Sequence, residues 1–158
     1  MTEEQKPGSG EYRVLDAGAL RALAHPLRVQ IFDILSQYGP QTSSSLAAMT
    51  GESSGSMSYH LRALARQDLI REVPGRGTAR ERWWERPLGG VTLWSSEGNK
   101  TPAGRAAMQV VMAETLNRRY QQLMDYALNG LEGDTEEWQE AGMISTGTAR
   151  LTLEQLAD

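Results

Sequence analysis

No cysteine occurs anywhere in the chain, and that absence excludes disulfides, thiolate metal sites and a cysteine nucleophile together. Imidazole chemistry is left to two residues, His25 and His60, and neither has a second imidazole nearby in sequence. Core or capping roles are therefore favoured over a metal site. Long apolar runs are missing as well: no stretch approaches the length of a membrane span, and Met1-Thr2-Glu3-Glu4-Gln5-Lys6 has neither the basic start nor the apolar centre of a signal peptide. The expectation is a soluble, cytoplasmic chain with no membrane partner. Gly75-Arg76-Gly77 is too short for a phosphate-binding loop, no glycine fingerprint joins a strand to a helix, and no Ser/His/Asp set suggests itself. No catalytic residues, cofactor or metal are assigned, and an enzyme is not expected.

What is present is enough for a core: 158 residues, 39% of them hydrophobic, fit one domain or one small domain with an added arm. The net charge of −4 is unevenly spread. Residues 11–87 hold ten arginines against eight acids, and residues 62–86 alone hold seven against four, whereas residues 103–158 hold four arginines against nine acids. A basic half able to meet phosphate and an acidic half unable to do so fit a nucleic-acid reader joined to an assembly arm; random surface charge is the plain alternative.

Residues 1–10, ending in Pro7-Gly8-Ser9-Gly10, read as a flexible tail. Leu15, Leu20, Leu23 and Ala24 recur at helical intervals behind a capping Asp16, and Pro26 opens a second helix with Leu27, Ile31, Ile34 and Leu35 on one side until Gly39-Pro40. Capping residues Thr42 to Ser45 then start a two-turn helix. Gly51 marks a turn, and Glu52-Ser53-Ser54 caps a longer helix with Met57, Leu61 and Leu64 at i, i+4 and i+7. A short helix, a glycine turn and a longer helix form a helix-turn-helix, whose second helix is free to enter a major groove. Leu69 to Val73 reads as a strand, Pro74-Gly75-Arg76-Gly77 as a turn and Arg80 to Glu85 as the returning strand, a basic hairpin suited to be a wing.

The winged domain is expected over 11–90 and a linker over 91–100, with one strand at Val91 to Trp94. An arm over 101–158 follows, opened by Thr101-Pro102 and a helix of about 28 residues reaching Gly130. Along that helix Ala106, Val110, Ala113, Asn117, Tyr120, Met124, Ala127 and Leu131 fall at alternating steps of four and three, with Met112, Leu116 and Leu123 beside them. So long an apolar stripe on a small domain points to pairing with a second chain. Beyond it, a short helix is expected near 134–140, a strand at 148–151 and a last helix from Thr152. The fold class is thus mainly α with a small β-hairpin wing: a winged helix-turn-helix plus a long C-terminal dimerisation helix.

The candidate DNA contacts are Ser43 at the start of the first helix of the pair, Ser54, Ser56, Ser58, Tyr59 and Arg62 on the outer face of the second, and Arg76, Arg80 and Arg82 on the wing. Small hydroxyls let a helix approach the groove, Tyr59 can bond a phosphate or stack on a sugar, and arginine takes phosphate or the O6/N7 edge of guanine. A merely solvated polar face is the alternative for the helix. Of Trp83 and Trp84, which face opposite sides of the strand, one is expected in the core and the other over an interdomain joint or a small-molecule pocket.

The stretch Leu20-Arg21-Ala22-Leu23-Ala24-His25-Pro26-Leu27-Arg28-Val29-Gln30-Ile31-Phe32-Asp33-Ile34-Leu35, with Ser58-Tyr59-His60-Leu61-Arg62-Ala63-Leu64 and Asp68-Leu69-Ile70, resembles the ArsR family of winged-helix repressors across roughly residues 15–87. The resemblance implies a symmetric dimer, a recognition helix in the major groove of a palindromic operator on double-stranded DNA, and release when an effector binds. Metal-sensing members carry a cysteine-bearing segment where this chain has Ser43-Ser44-Ser45-Leu46-Ala47-Ala48-Met49, so the resemblance is to the cysteine-free type, with a small organic molecule as candidate effector. The competing expectation is a winged helix that docks another protein through its acidic C-terminal arm.

Overall fold

The computed structural model describes residues 13–78, 81–92 and 100–130. The tail expected at 1–10, Arg80, Leu131, the outer half of the strand expected at 91–94 and all three elements expected after residue 131 lie outside them. The chain divides into two compact units, 1–118 and 119–158.

In the first unit each helix begins where the local chemistry supplies an acceptor for its free N–H groups. α1 (Ala17–Leu23) is capped by Asp16, whose carboxylate accepts from Ala19 N at 2.8 Å. α2 (Pro26–Tyr38) has proline at its first position, where no N–H is missed, and His25 Nδ1 accepts from Leu27 N at 3.2 Å. α3 (Ser43–Thr50) has a reciprocal capping box: Ser45 N donates to Thr42 Oγ1 at 3.0 Å and Thr42 N to Ser45 Oγ at 2.9 Å. Gly51 ends α3 in the left-handed region, φ +74°, where a side chain would be strained. α4 (Ser54–Ala65) opens with Ser53 Oγ accepting from Ser56 N.

Burial follows the periodicity. Leu20, Ile31, Leu46, Met57, Leu61 and Leu64 are fully buried in one core that also takes Leu69, Ile70 and Trp84. α5 (Pro102–Asp125) starts with Thr101 Oγ1 accepting from Gly104 N, then places Gly104, Ala107, Met108 and Val111 among the buried residues. Arg118 closes this part of the helix onto α2, with Nε and an Nη both donating to Asp33 Oδ2 at 3.2 and 3.1 Å.

β2 (Gln41–Thr42), β4 (Glu81–Glu85) and β3 (Arg71–Thr78) form an antiparallel sheet in the order β2-β4-β3. β1 (Arg13–Val14) and β5 (Val91–Thr92) make a separate parallel pair. Arg13 also donates to the carbonyls of Gln67 and Asp68 at 2.8 and 2.7 Å, just past the end of α4, where Asp68 has φ +52°. This is a winged-helix-like fold, mainly α, with its wing after the helix-turn-helix and a long helix at the C-terminal side.

One local expectation is corrected. Pro74 to Gly77 is not the turn of the hairpin: pairing continues to Gly77↔Arg82 and Thr78↔Glu81. Residues 73–76 instead bulge opposite Trp83, between the pairs Glu72↔Trp84 and Gly77↔Arg82. The bulge takes positive φ at Gly75 and at Gly77, which suits glycine. Gly77 has φ +105°, and a Cβ on it would collide with the carbonyl of Glu81. Arg76 accordingly sits on a strand and not at the tip.

In the second unit, the last turns of α5 pass into a π-helical turn, Tyr126–Gly130, so that helical backbone runs from Pro102 to Gly130, close to the length expected. Tyr120, Leu123, Met124 and Leu128 are all exposed there.

The packing of α4 yields a direct test. Leu61 is buried on the face that α4 turns to the core, and Leu61→Ala is expected to cost about 2–5 kcal/mol by chemical denaturation.

Candidate nucleic-acid interface

α4 divides cleanly into two faces. Met57, His60, Leu61 and Leu64 are buried, Ser54, Tyr59 and Arg62 are exposed, and Ser56 and Ser58 lie half-buried between them. The exposed face is partly pre-ordered. Ser58 Oγ donates to the carbonyl of Ser54 at 2.9 Å, and Arg62 Nε donates to the carbonyl of Ser58 at 3.1 Å. These bonds hold the arginine stem along its helix while leaving the remaining guanidinium donors for another acceptor.

A cleft of about 330 Å³ opens between the start of α3, the middle of α4 and the returning wing strand, lined by Ser43, Ser58, Arg62, Arg82 and Trp84. Four of these five are residues singled out from sequence as DNA contacts. They come from three elements, spaced from residue 43 to residue 82. Arg82 also pairs with Glu72 at 3.6 Å, both side chains being largely exposed. An exposed pair of that kind contributes at most about 1 kcal/mol, so it does not tie the guanidinium up.

The other wing arginine is held differently. The Arg76 guanidinium lies 3.7 Å from the ring centroid of Trp83, over the bulge, where cation–π attraction fixes its stem on the strand. Trp83 is thus half-buried beneath an arginine, and Trp84, its neighbour, is the one packed in the core. Arg80 lies outside the described residues. Ser54, Tyr59 and Arg76 are exposed but do not line the cleft.

The sequence reading kept His25 and His60 apart. The fold brings them together, with ring centroids 4.7 Å apart, His25 at the start of α2 and His60 on the inner face of α4. Tyr59 meets the His60 ring edge-on at 5.2 Å. His60 is buried and its Nδ1 has no hydrogen-bond partner. Burial, then the neighbouring His25 and Arg28, hold its pKa below the ordinary 6.5, with Glu52 acting weakly the other way. Among the described residues no cluster of three His, Asp or Glu side chains is placed to hold a metal ion. Thirty-five positions separate the pair, so the only sequence signal was that each falls at a helix start or on an apolar face.

A second hollow, about 310 Å³, lies at the end of α2 between Leu35, Ser36, Pro40, Arg86 and Leu88. Arg86 there is already engaged by Ser36 Oγ, the carbonyl of Gly89 and the face of Phe32. No helix among the described residues is long and apolar enough to cross a membrane.

Residues 23–73, from the end of α1 to the first wing strand, match the family model described as a helix-turn-helix domain. The chain carries a helix-turn-helix domain. That supports a DNA-binding regulator, since such a domain presents its second helix to a groove. No curated protein matches the sequence. Among solved structures, that of RV1404 from Mycobacterium tuberculosis is similar at 17% identity and a TM-score of 0.38, covering 69% of this chain and 68% of that one.

The buried imidazole makes stability depend on pH. Because the folded state holds the His60 pKa below 6.5, the unfolded chain takes up the proton first as pH falls. The stabilising contribution of neutral His60 is complete above about pH 6.5 and lost progressively below it. Denaturation midpoints should fall between about pH 7.5 and 5, and the fall should be smaller in His60→Gln; an equal fall in both proteins would assign it to other groups.

Proposed function

We propose that the chain is a homodimeric, ArsR-like transcriptional repressor that reads a palindromic operator. α4 lies in the major groove and the wing sits on the neighbouring backbone. The observation that carries this reading is the convergence of Ser43, Ser58, Arg62 and Arg82 on one cleft between the helix pair and the wing. Two guanidinium groups and two hydroxyls at a concave surface make a seat for a phosphate oxygen, and the wall of the seat is the helix that would enter the groove. Ser54, Ser56 and Tyr59 along α4 and Arg76 on the wing are assigned to the same DNA-facing surface, and Arg80 is assigned to it by its place in sequence.

Dimerisation is assigned to the outer side of α5. In the first unit Val110, Ala113 and Asn117 are exposed, on the opposite side of the helix from the buried Gly104, Ala107, Met108 and Val111, and in the second unit Tyr120 and Met124 are exposed. Their alternating three- and four-residue steps suit a helix laid against its own copy. A small organic effector that releases the operator remains part of the proposal, in keeping with a chain that offers no thiolate.

The test is a fluorescence titration with pooled random duplex DNA at low and moderate salt, followed by selection and sequencing of the bound fraction. A palindromic motif with steeply salt-dependent binding is expected; if no DNA is retained even at low salt, docking of another protein through the acidic arm replaces this reading. Arg62→Ala and Arg82→Ala should each lower the magnitude of the salt slope by about 1. Arg76→Ala should weaken binding to all sequences alike.

The double variant Tyr120→Glu, Met124→Glu should sediment as a monomer and lose cooperative binding to a two-half-site operator. A dimer that survives both charges would move the interface elsewhere.

A further inference from the structure

Neither the helix-turn-helix geometry nor the cleft accounts for two imidazoles in tilted contact, 4.7 Å between centroids, on the inner side of the recognition helix. An apolar pair would fill that space without an orphaned nitrogen. His60 occupies the inner face of α4 among Met57, Leu61 and Leu64, is 8% exposed, and leaves Nδ1 without a partner. Across the junction, His25 is both the ring it packs on and the cap of α2, through the bond from Leu27 N to Nδ1. On its other side, His60 is in edge contact with Tyr59, which is 60% exposed on the reading face.

We propose that the His25–His60 pair is an acid-sensitive latch on the recognition helix, seating α4 for DNA while His60 is neutral and releasing it when His60 takes up a proton. The proposal rests on the DNA-reading function above, for which it supplies a mode of regulation.

The charged groups around the pair fix the direction. α2 contributes His25 and Arg28, and the turn before α4 contributes Glu52. Arg28 cannot swing away freely, because its guanidinium donates to the carbonyl of Ala22 while its buried Nε has no partner. A proton on His60 therefore places a second cation beside a fixed one in a site with little water, offset only by Glu52. That charge strains the contact that holds α4 to the start of α2. The cheapest relief is displacement of the short helix whose inner face carries His60. Tyr59 shares that helix segment and moves with it. A surface imidazole near DNA would do the reverse, since its positive charge would strengthen binding in acid.

The experiment has two readouts on the full chain. Affinity for pooled random duplex DNA is measured at fixed ionic strength from about pH 7.5 to 5, for the wild type and for His60→Gln. In parallel, the histidine ring and backbone amide resonances of the free wild-type protein are followed over the same range. The expected result is a loss of wild-type affinity of roughly fivefold or more in acid that His60→Gln lacks. The α4 and Leu27 amides should shift in step with the His60 ring. Equal pH profiles in both proteins would overturn the proposal. If DNA is bound at no pH, the DNA-reading function fails and the resonances decide alone: α4 amides that follow the His60 ring keep the latch, and amides indifferent to it overturn it.

Discussion

Thr42 belongs to two structures at once, and the position of the wing depends on it. Its backbone pairs with Trp83 in the sheet while its hydroxyl accepts from Ser45 N to start α3. The strand that anchors the wing is therefore the residue pair that precedes the helix-turn-helix, with no connection between them to flex. That is why Ser43, the next residue, shares a cleft with Arg82 on the wing and Arg62 on α4. Thr42 is 5% exposed, and its N–H, carbonyl and hydroxyl are each hydrogen-bonded to Ser45, so it is buried with all of its polar groups partnered. Trp84, the other residue of the ladder with Gln41, carries the sheet into the core.

The wing is then held to the helices at one end and shaped at the other by its bulge. Trp83 stands opposite the four bulged residues, and Arg76 folds over its ring. A long arginine side chain loses rotamer freedom when it settles on a phosphate; resting on an indole face beforehand, it has less to lose. The same logic applies to Arg62, tied by its Nε to its own helix. Pre-ordering of this kind increases the value of each cation, which matters in a domain whose excess of arginine over acid is small.

The helices were legible in the sequence because their signals are local. Leu27, Ile31, Ile34 and Leu35 on α2, and Met57, Leu61 and Leu64 on α4, fall at helical spacing and are buried as that spacing requires. The caps Asp16, His25, Thr42 and Ser53 were equally local. The strands β1 and β2 were not, since each is two residues long and defined by partners far along the chain, Val91–Thr92 for one and Trp83–Trp84 for the other. The misread turn has a different cause. Pro74-Gly75-Arg76-Gly77 has the composition of a reverse turn, but positive φ at Gly75 and Gly77 serves a bulge as well as a turn, and composition does not choose between them. For the interface, residue types at the right places on a helix-turn-helix named most of the cleft; Trp84 as its floor and the contact of His25 with His60 depend on packing between elements and leave no local trace.

The modest charge of the domain bears on how the surface can work. Arg82 faces Glu72 at 3.6 Å and Arg71 donates to Glu85 at 2.7 Å, so two of the three arginines on the described wing strands are balanced by acids on the paired strand. Both arginines of these pairs are well exposed, and pairs in that setting are weak enough for a phosphate to compete. On the proposed function the acids set a penalty on indiscriminate binding, because a phosphate approaching Arg82 would also approach Glu72. Only a backbone path that reaches the cleft between Arg62 and Arg82 while clearing the outer carboxylates would then gain the full attraction. On that reading the preference comes from where the cations stand, and the placement of Arg82 beside α3 follows from the two-residue ladder of Gln41 and Thr42 with Trp84 and Trp83.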